Sequence, residues 1–188
     1  MRRRKKIPLV VGILLVVLLK FLFPPLEPQA EKPHAKTSSV VLAEGEAEVL
    51  RVVDGDTLQV LFRGGKEHIR LIGIDTPESH LNDKAIRDSN SRHQDMKKIL
   101  ADGSEAAAFV KRLVTPGSLL SIQLDVTPRD KYQRLLGYVY LKDGRMLNEV
   151  IIREGYAYPL TIPPNVKHAE LFQEAFKDSR VNRRGLWR

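Results

Sequence analysis

The stretch VVDGDTLQVLFRGGKEHIRLIGIDTPE, residues 52–78, decides the fold of this chain. Two runs rich in aliphatic residues, 56–62 and 67–74, flank a glycine turn at residues 63–66. Two adjacent glycines between strand-like runs predict an antiparallel β-hairpin. In such a hairpin the start of the first strand lies beside the end of the second.

The predicted hairpin brings polar residues from its two ends together. Asp56 and Asp75 are expected to lie close to each other, with Arg70 and Glu78 nearby. Two carboxylates without a counter-charge repel each other, and a divalent cation between them removes that repulsion. Oxygen ligands suit a hard cation such as calcium or magnesium. The local sequence leaves one alternative open, in which these aspartates are ordinary turn residues.

Three motifs of the chain resemble those of the staphylococcal nuclease (thermonuclease) family: DGDT, the arginine in IRLIGIDTPE, and DKYQR. The resemblance extends from about Glu46 to the C-terminus. It implies a β-barrel with helices (an α+β fold), of the five-stranded OB type, with about three helices packed on the barrel. It further implies an enzyme that hydrolyses phosphodiester bonds in DNA and/or RNA, with calcium (Ca2+) as its cofactor.

The resemblance also implies roles for individual residues. The implied calcium ligands are two carboxylates and one backbone carbonyl: Asp56, Asp75 and Thr76. The implied catalytic residues are a general base and two phosphate-binding arginines: Glu78, Arg70 and Arg134. An arginine offers a planar fork of donors that matches phosphate oxygens. For Arg134, local sequence alone favours a surface arginine paired with Asp130 or Asp125, and the resemblance reverses that preference.

Further residues are predicted to contact the substrate: Lys131, Tyr132, Tyr156 and Tyr158. The first two lie in the same loop as Arg134. The family places two tyrosines where they contact the nucleotide, and by loop alignment their equivalents here fall near Leu160 and Ile162. Tyr156 and Tyr158 lie slightly upstream, so base stacking by these side chains is left open.

Two other functions remain as alternatives. One is a non-catalytic OB-fold module that binds nucleic acid or protein at the cell envelope. The other is an enzyme that acts on a different phosphodiester, such as a small nucleotide or a lipid head group. All the charged positions implied by the resemblance carry the expected residue types, which favours the nuclease. Because the tyrosines are displaced from the positions expected for the family, the non-catalytic binding module remains an alternative.

The composition excludes some chemistry and leaves the partner undecided. The chain has no cysteine, which rules out disulfides, a thiolate nucleophile and cysteine-bound zinc. The formal charge of the 188 residues is +8, but eight Lys/Arg against two Glu precede residue 44. From residue 44 onward, 23 Lys/Arg face 21 Asp/Glu, so the domain is nearly balanced. Attraction of a polyanion therefore depends on the local placement of individual arginines.

The N-terminal residues are typical of an export signal. A basic head at residues 1–6 precedes a mainly apolar segment at residues 7–23, which predicts a signal peptide or a signal anchor. Residues 24–43 are rich in proline and polar residues and are predicted to be a flexible linker. The domain, residues 44–188, is expected outside the cytoplasm. It would be anchored in the membrane by residues 7–23 if the leader stays, or secreted if the leader is cleaved.

The remaining elements of the domain follow from hydrophobic periodicity and turn residues. Three more strands are predicted, at residues 40–53, 118–126 and 135–141. Helices are predicted at residues 106–114, 146–154 and 168–177. Residues 79–98 are polar and are predicted to form a solvated loop beside the site, with His80 and His93 on the surface. The protein is expected to be a monomer.

Overall fold

A computed structural model describes residues 44–188 of the chain. The expected leader (1–23) and linker (24–43) lie outside the described residues, and so do the first residues of the strand predicted at 40–53. In the part of the chain that is described, no helix combines the length and the apolar character needed to cross a membrane.

The described strands form a closed barrel and a small separate sheet. In chain order they are β1 (Glu44–Asp54), β2 (Thr57–Phe62), β3 (Gly65–Leu71), β4 (Gly73–Asp75), β5 (Leu119–Arg129), β6 (Leu135–Tyr140) and β7 (Tyr158–Leu160). The barrel has the strand order β1-β2-β3-β6-β5, and β4 pairs with β7. Only β3 and β6 are parallel among the barrel pairs of these residues. The five-stranded OB-type barrel expected from the sequence is confirmed.

The hairpin of β2 and β3 turns one residue earlier than its glycine pair suggests. Phe62 pairs with Gly65, so the turn consists of Arg63 and Gly64. Both turn residues have positive φ angles, 52° and 80°. Two successive positive φ angles are typical of a type I′ turn, whose twist matches that of paired strands. The resulting register places Arg70 opposite Thr57, next to Asp56.

The second strand of the hairpin was predicted as one run, but it is interrupted at Ile72, directly before Gly73. This glycine has a φ of +80°, and a Cβ at this position would collide with the ring of Phe172. The chain leaves the barrel at this point. Few residues other than glycine adopt such a positive φ without strain. Residues 73–75 then pair with β7, where Asp75 lies opposite Tyr158.

Four α-helices and a short 3-10 helix surround the barrel. They are α1 (Asp83–Arg92), α2 (Met96–Leu113), α3 (Leu147–Arg153), α4 (Ala169–Val181) and the 3-10 helix Gly185–Trp187. The last three α-helices correspond to the predicted ones, although α2 begins ten residues before the predicted start, at 96 instead of 106.

The prediction of a polar loop at residues 79–98 is wrong, because this stretch contains α1 and the start of α2. The helix α1 contains only two apolar residues, Ala85 and Ile86, and its ends are marked by capping residues. The Asn82 side chain accepts a hydrogen bond from the Ala85 N–H at 2.9 Å, and His93 ends the helix with a φ of 51°. The Asp95 side chain begins α2 by accepting from the Lys97 N–H at 3.1 Å. Such caps satisfy backbone donors that a helix leaves open.

Asn148, at the start of α3, connects this helix to the barrel. Its side chain is fully buried. Its Oδ1 accepts from the Val139 N–H at 3.0 Å, and its Nδ2 donates to the carbonyls of Ile72 at 2.8 Å and Gly137 at 3.3 Å. Ile72 is the residue between β3 and β4, so one amide fixes the place where the chain leaves the barrel.

We expect Asn148→Ala to lower the free energy of unfolding by about 3 kcal/mol, because buried backbone groups would lose their partners. The measurement is chemical denaturation of the full chain. Asn90→Ala, at an exposed position of α1, serves as the control and should change stability by about 0.5 kcal/mol or less. Equal stability of the two variants would contradict the structural role of the Asn148 amide.

Candidate active site

The open end of the β2–β3 hairpin places Arg70 between two aspartates. Its guanidinium forms an ion pair with Asp56, and its Nη2 donates to Asp75 Oδ1 at 3.2 Å. Asp56 is only 2% exposed. Burial lowers the pKa of Arg70, and the attraction of Asp75 opposes that shift. The buried carboxylate therefore has a charged partner, without which its desolvation would be costly.

Thr76 joins the start of β2 to the segment that follows β4. Its N–H and its hydroxyl both donate to Asp56 Oδ2, at 3.1 and 3.0 Å. Thr76 is itself buried. The close approach depends on Gly55, where a Cβ would lie 2.8 Å from the Thr76 hydroxyl oxygen. The two ends of the predicted hairpin are thus held together through Asp56.

Glu78 is held by the beginning of α1. Its Oε2 accepts from the Asn82 amide at 2.7 Å, and its Oε1 lies 3.1 Å from the ammonium of Lys84. Asn82 is also the residue that caps α1. The same side chain therefore orients both the helix and the carboxylate, which restricts the rotamers of Glu78.

The ammonium of Lys84 lies at the centre of the acidic residues. It is 3.2 Å from Asp75 Oδ1, 3.1 Å from Glu78 Oε1 and 3.1 Å from Asp88 Oδ2, and it donates to the Thr76 carbonyl at 2.9 Å. Burial acts to lower the pKa of Lys84, but Asp75 and Glu78 outweigh it and the pKa is raised. The lysine is therefore held in its charged form.

Sequence reasoning placed Lys84 in the polar loop and gave it no role at the site. A signal for its position was present in the sequence. Asn82 precedes Ala85 by three residues, as a helix cap does, and Lys84 precedes Asp88 by four, as in a helical ion pair. Together these spacings indicate a short helix whose first turn carries a lysine back toward Glu78.

Arg134 also lines this cleft. It precedes β6, and β6 runs parallel to β3 with Leu136 beside Arg70. Its Nε and Nη2 each lie 2.7 Å from Asp130 Oδ2. The positive charge of Arg134 also contributes to the lowered pKa of Arg70, after burial. The two guanidinium groups are therefore near enough to influence one another across the cleft.

The cleft has a volume of about 560 Å³ and two kinds of lining. Its charged lining includes Arg70, Glu78, Lys84, Lys131 and Arg134. Its apolar lining includes Leu160, Ile162, Pro163 and Pro164. Tyr132 stands at the mouth and is 68% exposed, with the Lys131 ammonium 5.0 Å from its ring centre. The space is large enough for a nucleotide-sized ligand.

Tyr156 and Tyr158, the other predicted substrate contacts, pack elsewhere. Tyr156 stacks on Phe109 with ring centres 4.4 Å apart. Tyr158 meets Trp187 edge-on at 4.9 Å. Neither tyrosine is among the described residues that line the cleft. Their neighbours come from α2 and the C-terminal segment, so no local sequence signal identified this packing.

The predicted calcium ligands fit a hard cation in chemistry. The carboxylates of Asp56 and Asp75 and the carbonyl of Thr76 offer oxygens, which are the ligands that calcium and magnesium prefer. The Lys84 ammonium lies 3.2 Å from Asp75 Oδ1 and 2.9 Å from the Thr76 carbonyl. Within residues 44–188, no group of three or more His, Cys, Asp or Glu side chains is arranged to hold a metal ion.

Gly103 lets α2 pack directly on the backbone of Glu78. A Cβ on Gly103 would collide with the Glu78 carbonyl and lie 2.6 Å from the Ser79 nitrogen. Replacing glycine by alanine inside a helix normally stabilises a protein by about 1 kcal/mol. Gly103→Ala is expected to destabilise this protein by about 2 kcal/mol instead, since the backbone must shift. Denaturation curves and turnover measured on the full chain test this, and turnover is expected to fall as well.

Ser104→Ala is the matched control, because the neighbouring Ser104 is exposed on the same helix. It should change stability by about 0.5 kcal/mol or less. A stabilised Gly103→Ala variant with full turnover would show that Gly103 does not set the position of Glu78.

Comparisons with known proteins agree with the fold. A family model described as "Staphylococcal nuclease homologue" matches residues 68–188. The chain is 32% identical over 183 residues to the protein named Thermonuclease of Staphylococcus intermedius, covering 97% of this chain and 98% of that protein. It is 32% identical to Thermonuclease of Staphylococcus hyicus over 139 residues, covering 74% of this chain and 73% of that protein.

A relative from another genus shows the same likeness. Endonuclease YncB of Bacillus subtilis (strain 168) is 29% identical over 163 residues, covering 86% of this chain and 69% of that protein. The described residues also form the five-stranded barrel expected for such a sequence. The chain therefore belongs to the staphylococcal nuclease family and is a phosphodiester hydrolase.

Proposed function

We propose that the protein is a calcium-dependent nuclease that hydrolyses phosphodiester bonds in DNA and/or RNA. One observation carries the proposal: a single cleft contains the Glu78 carboxylate and two arginines, Arg70 and Arg134. This arrangement suits a phosphate diester, which needs cationic donors for its oxygens and a base for the attacking water.

Arg70 and Arg134 act on the phosphate in this proposal. Each guanidinium has five N–H donors, more than its carboxylate partners use. Asp130 holds Arg134 at 2.7 Å and so fixes the direction in which the remaining donors point. Charge grows on the phosphate oxygens as water attacks, and donors already in place stabilise that charge.

Glu78 orients the attacking water and accepts its proton. The carboxylate faces the cleft, and the Asn82 amide holds its Oε2 at 2.7 Å. Because Asn82 fixes one oxygen, a water bound to the other oxygen of Glu78 would have a defined direction relative to the phosphate. Proximity and orientation of this kind contribute strongly to hydrolysis.

Asp56, Asp75 and the Thr76 carbonyl would hold the calcium ion. When bound, calcium would neutralise negative charge on a non-bridging phosphate oxygen. The chain itself keeps these ligands in place through Arg70, which bridges the two aspartates, and through the hydrogen bonds from Thr76 to Asp56. Magnesium takes the same kind of ligand, so the assignment to calcium is part of the proposal.

Lys131 and Tyr132 would contact the nucleic acid beside the scissile bond. Both line the cleft, and the exposed ring of Tyr132 lies 5.5 Å from the Arg134 guanidinium carbon. An exposed aromatic ring flanked by cations suits a nucleotide base and its phosphate. Tyr156 and Tyr158 are left out of this assignment because their rings are packed against Phe109 and Trp187.

We also propose that the domain works outside the cytoplasm as a monomer. The support is the sequence: a basic head followed by an apolar segment at residues 7–23. Protease added to intact cells is expected to digest the domain while a cytoplasmic marker protein survives. Full protection of the domain under those conditions would contradict an external location.

Glu78→Gln and Arg134→Ala are each expected to reduce turnover by at least about tenfold, equivalent to 1.4 kcal/mol of activation free energy. The first removes the proton acceptor and the second removes phosphate donors. The measurement is the rate of cleavage of single-stranded DNA with calcium present, together with a circular dichroism spectrum that confirms folding.

Arg145→Ala is the matched control for Arg134→Ala. Arg145 also pairs with an aspartate in a turn, at 2.7 Å from Asp143, but it lies outside the cleft. Glu48→Gln, at an exposed position of β1, is the control for Glu78→Gln. Cleavage by both site variants at the rate of their controls would remove Glu78 and Arg134 from the mechanism.

Removal of calcium with excess chelator is expected to abolish cleavage, and added calcium is expected to restore it. The physical reason is that the phosphate would otherwise approach the carboxylates of Asp56 and Asp75 without a divalent counter-charge. Digestion of single-stranded DNA is followed with and without chelator. Undiminished cleavage in excess chelator would reject the calcium assignment.

A further inference from the structure

The Lys84 ammonium contacts two of the three proposed calcium ligands. It lies 3.2 Å from Asp75 Oδ1 and 2.9 Å from the Thr76 carbonyl, and also 3.1 Å from Glu78 Oε1. The third proposed ligand, Asp56, is paired with Arg70. A lysine nitrogen and a metal ion cannot both occupy the position beside Asp75 and the Thr76 carbonyl, because both need the same lone pairs within about 3 Å.

The charges of the cluster favour exchange of one cation for the other. Four carboxylates, from Asp56, Asp75, Glu78 and Asp88, face one guanidinium and one ammonium. If the ammonium paired with Asp88 alone, a divalent ion among the other three carboxylates and Arg70 would make the whole group neutral. Two cations within about 3 Å of the same oxygens would repel each other, so the ion and the ammonium are expected to take separate carboxylates.

The helix α1 offers a second carboxylate for the displaced lysine. Asp88 lies one turn after Lys84 on the same helix, and its Oδ2 is 3.1 Å from the ammonium. The lysine can move toward Asp88 by rotating its own flexible stem. The helix itself does not have to move, because Asn82 still connects its first turn to Glu78.

From these contacts we propose that Lys84 is a positioning residue that competes with calcium for the site, and that calcium binding shifts its ammonium onto Asp88 alone. The inference rests on the proposed calcium site. Without calcium, Lys84 holds Asp75, Thr76 and Glu78 near their working positions and prevents mutual repulsion of the carboxylates. With calcium, the lysine leaves, so the affinity for the metal is lower than that of the same ligands without the lysine.

Isothermal titration of the full chain with calcium chloride tests the competition. Lys84→Met keeps the length of the side chain and removes the charge, and we expect it to bind calcium tighter by about tenfold or more. Asp88→Asn removes the carboxylate that receives the lysine, and we expect it to bind calcium weaker by about threefold or more. The two substitutions are thus expected to shift the dissociation constant in opposite directions.

A second pair of residues provides the control. Lys98 and Asp102 form an equivalent pair on α2, at 2.9 Å and the same spacing, away from the cleft. Lys98→Met and Asp102→Asn should each leave the calcium affinity within about twofold of that of the wild type. Melting temperatures give a further readout. In chelator the Lys84→Met variant should melt below the wild type, and calcium should raise its melting temperature by a larger amount.

The outcomes separate this inference from the proposed function. Unchanged or weaker calcium binding by Lys84→Met, in a protein that cleaves DNA with calcium, would overturn the competition alone. Asp88→Asn keeps the lysine and tests the transfer even if Lys84→Met does not fold, and unchanged affinity in that variant would overturn it. No calcium binding by wild type or variants would overturn the calcium site and, with it, this inference.

Discussion

In the β2–β3 hairpin Thr57 pairs with Arg70, and that register determines where the charged groups of the site lie. Asp56 precedes the first strand and Asp75 follows the break after the second, so the guanidinium of Arg70 reaches both. A shift of one residue would turn Arg70 to the other face of the barrel. The type I′ turn at Arg63 and Gly64 fixes the register and thereby the site.

Charge burial is the main energetic demand of this arrangement. A carboxylate that is nearly inaccessible to water, like that of Asp56, must be matched by donors, and Arg70 and Thr76 provide them. Glycines allow backbone segments near these residues to approach their neighbours closely. At Gly73 the chain bends against Phe172, and at Gly103 a helix lies on the carbonyl of Glu78. The segment that carries the acidic residues is therefore closely packed on both sides.

The parts of the site that the sequence predicted are those encoded within one hairpin. The approach of Asp56, Arg70 and Asp75 follows from strand pairing, which alternating residues and a glycine turn make visible. The helix α1 was not predicted, because it has only two apolar residues and its sequence signals are its caps and ion pairs. The packing of Tyr156 and Tyr158 depends on residues distant in sequence, Phe109 and Trp187, which no local pattern reveals.

Lys84 supplies a positive charge to the carboxylates of Asp75, Glu78 and Asp88. In the proposed calcium-bound state, the metal ion would supply the positive charge for Asp75 instead. The exchange of Lys84 for calcium is tested most directly by a crystal structure of the protein from crystals grown with calcium, with the ion located by anomalous scattering. We expect one peak bonded to Asp56, Asp75 and the Thr76 carbonyl, with the Lys84 ammonium on Asp88 alone. A site without a calcium peak, and with Lys84 still on Asp75 and Glu78, would contradict it.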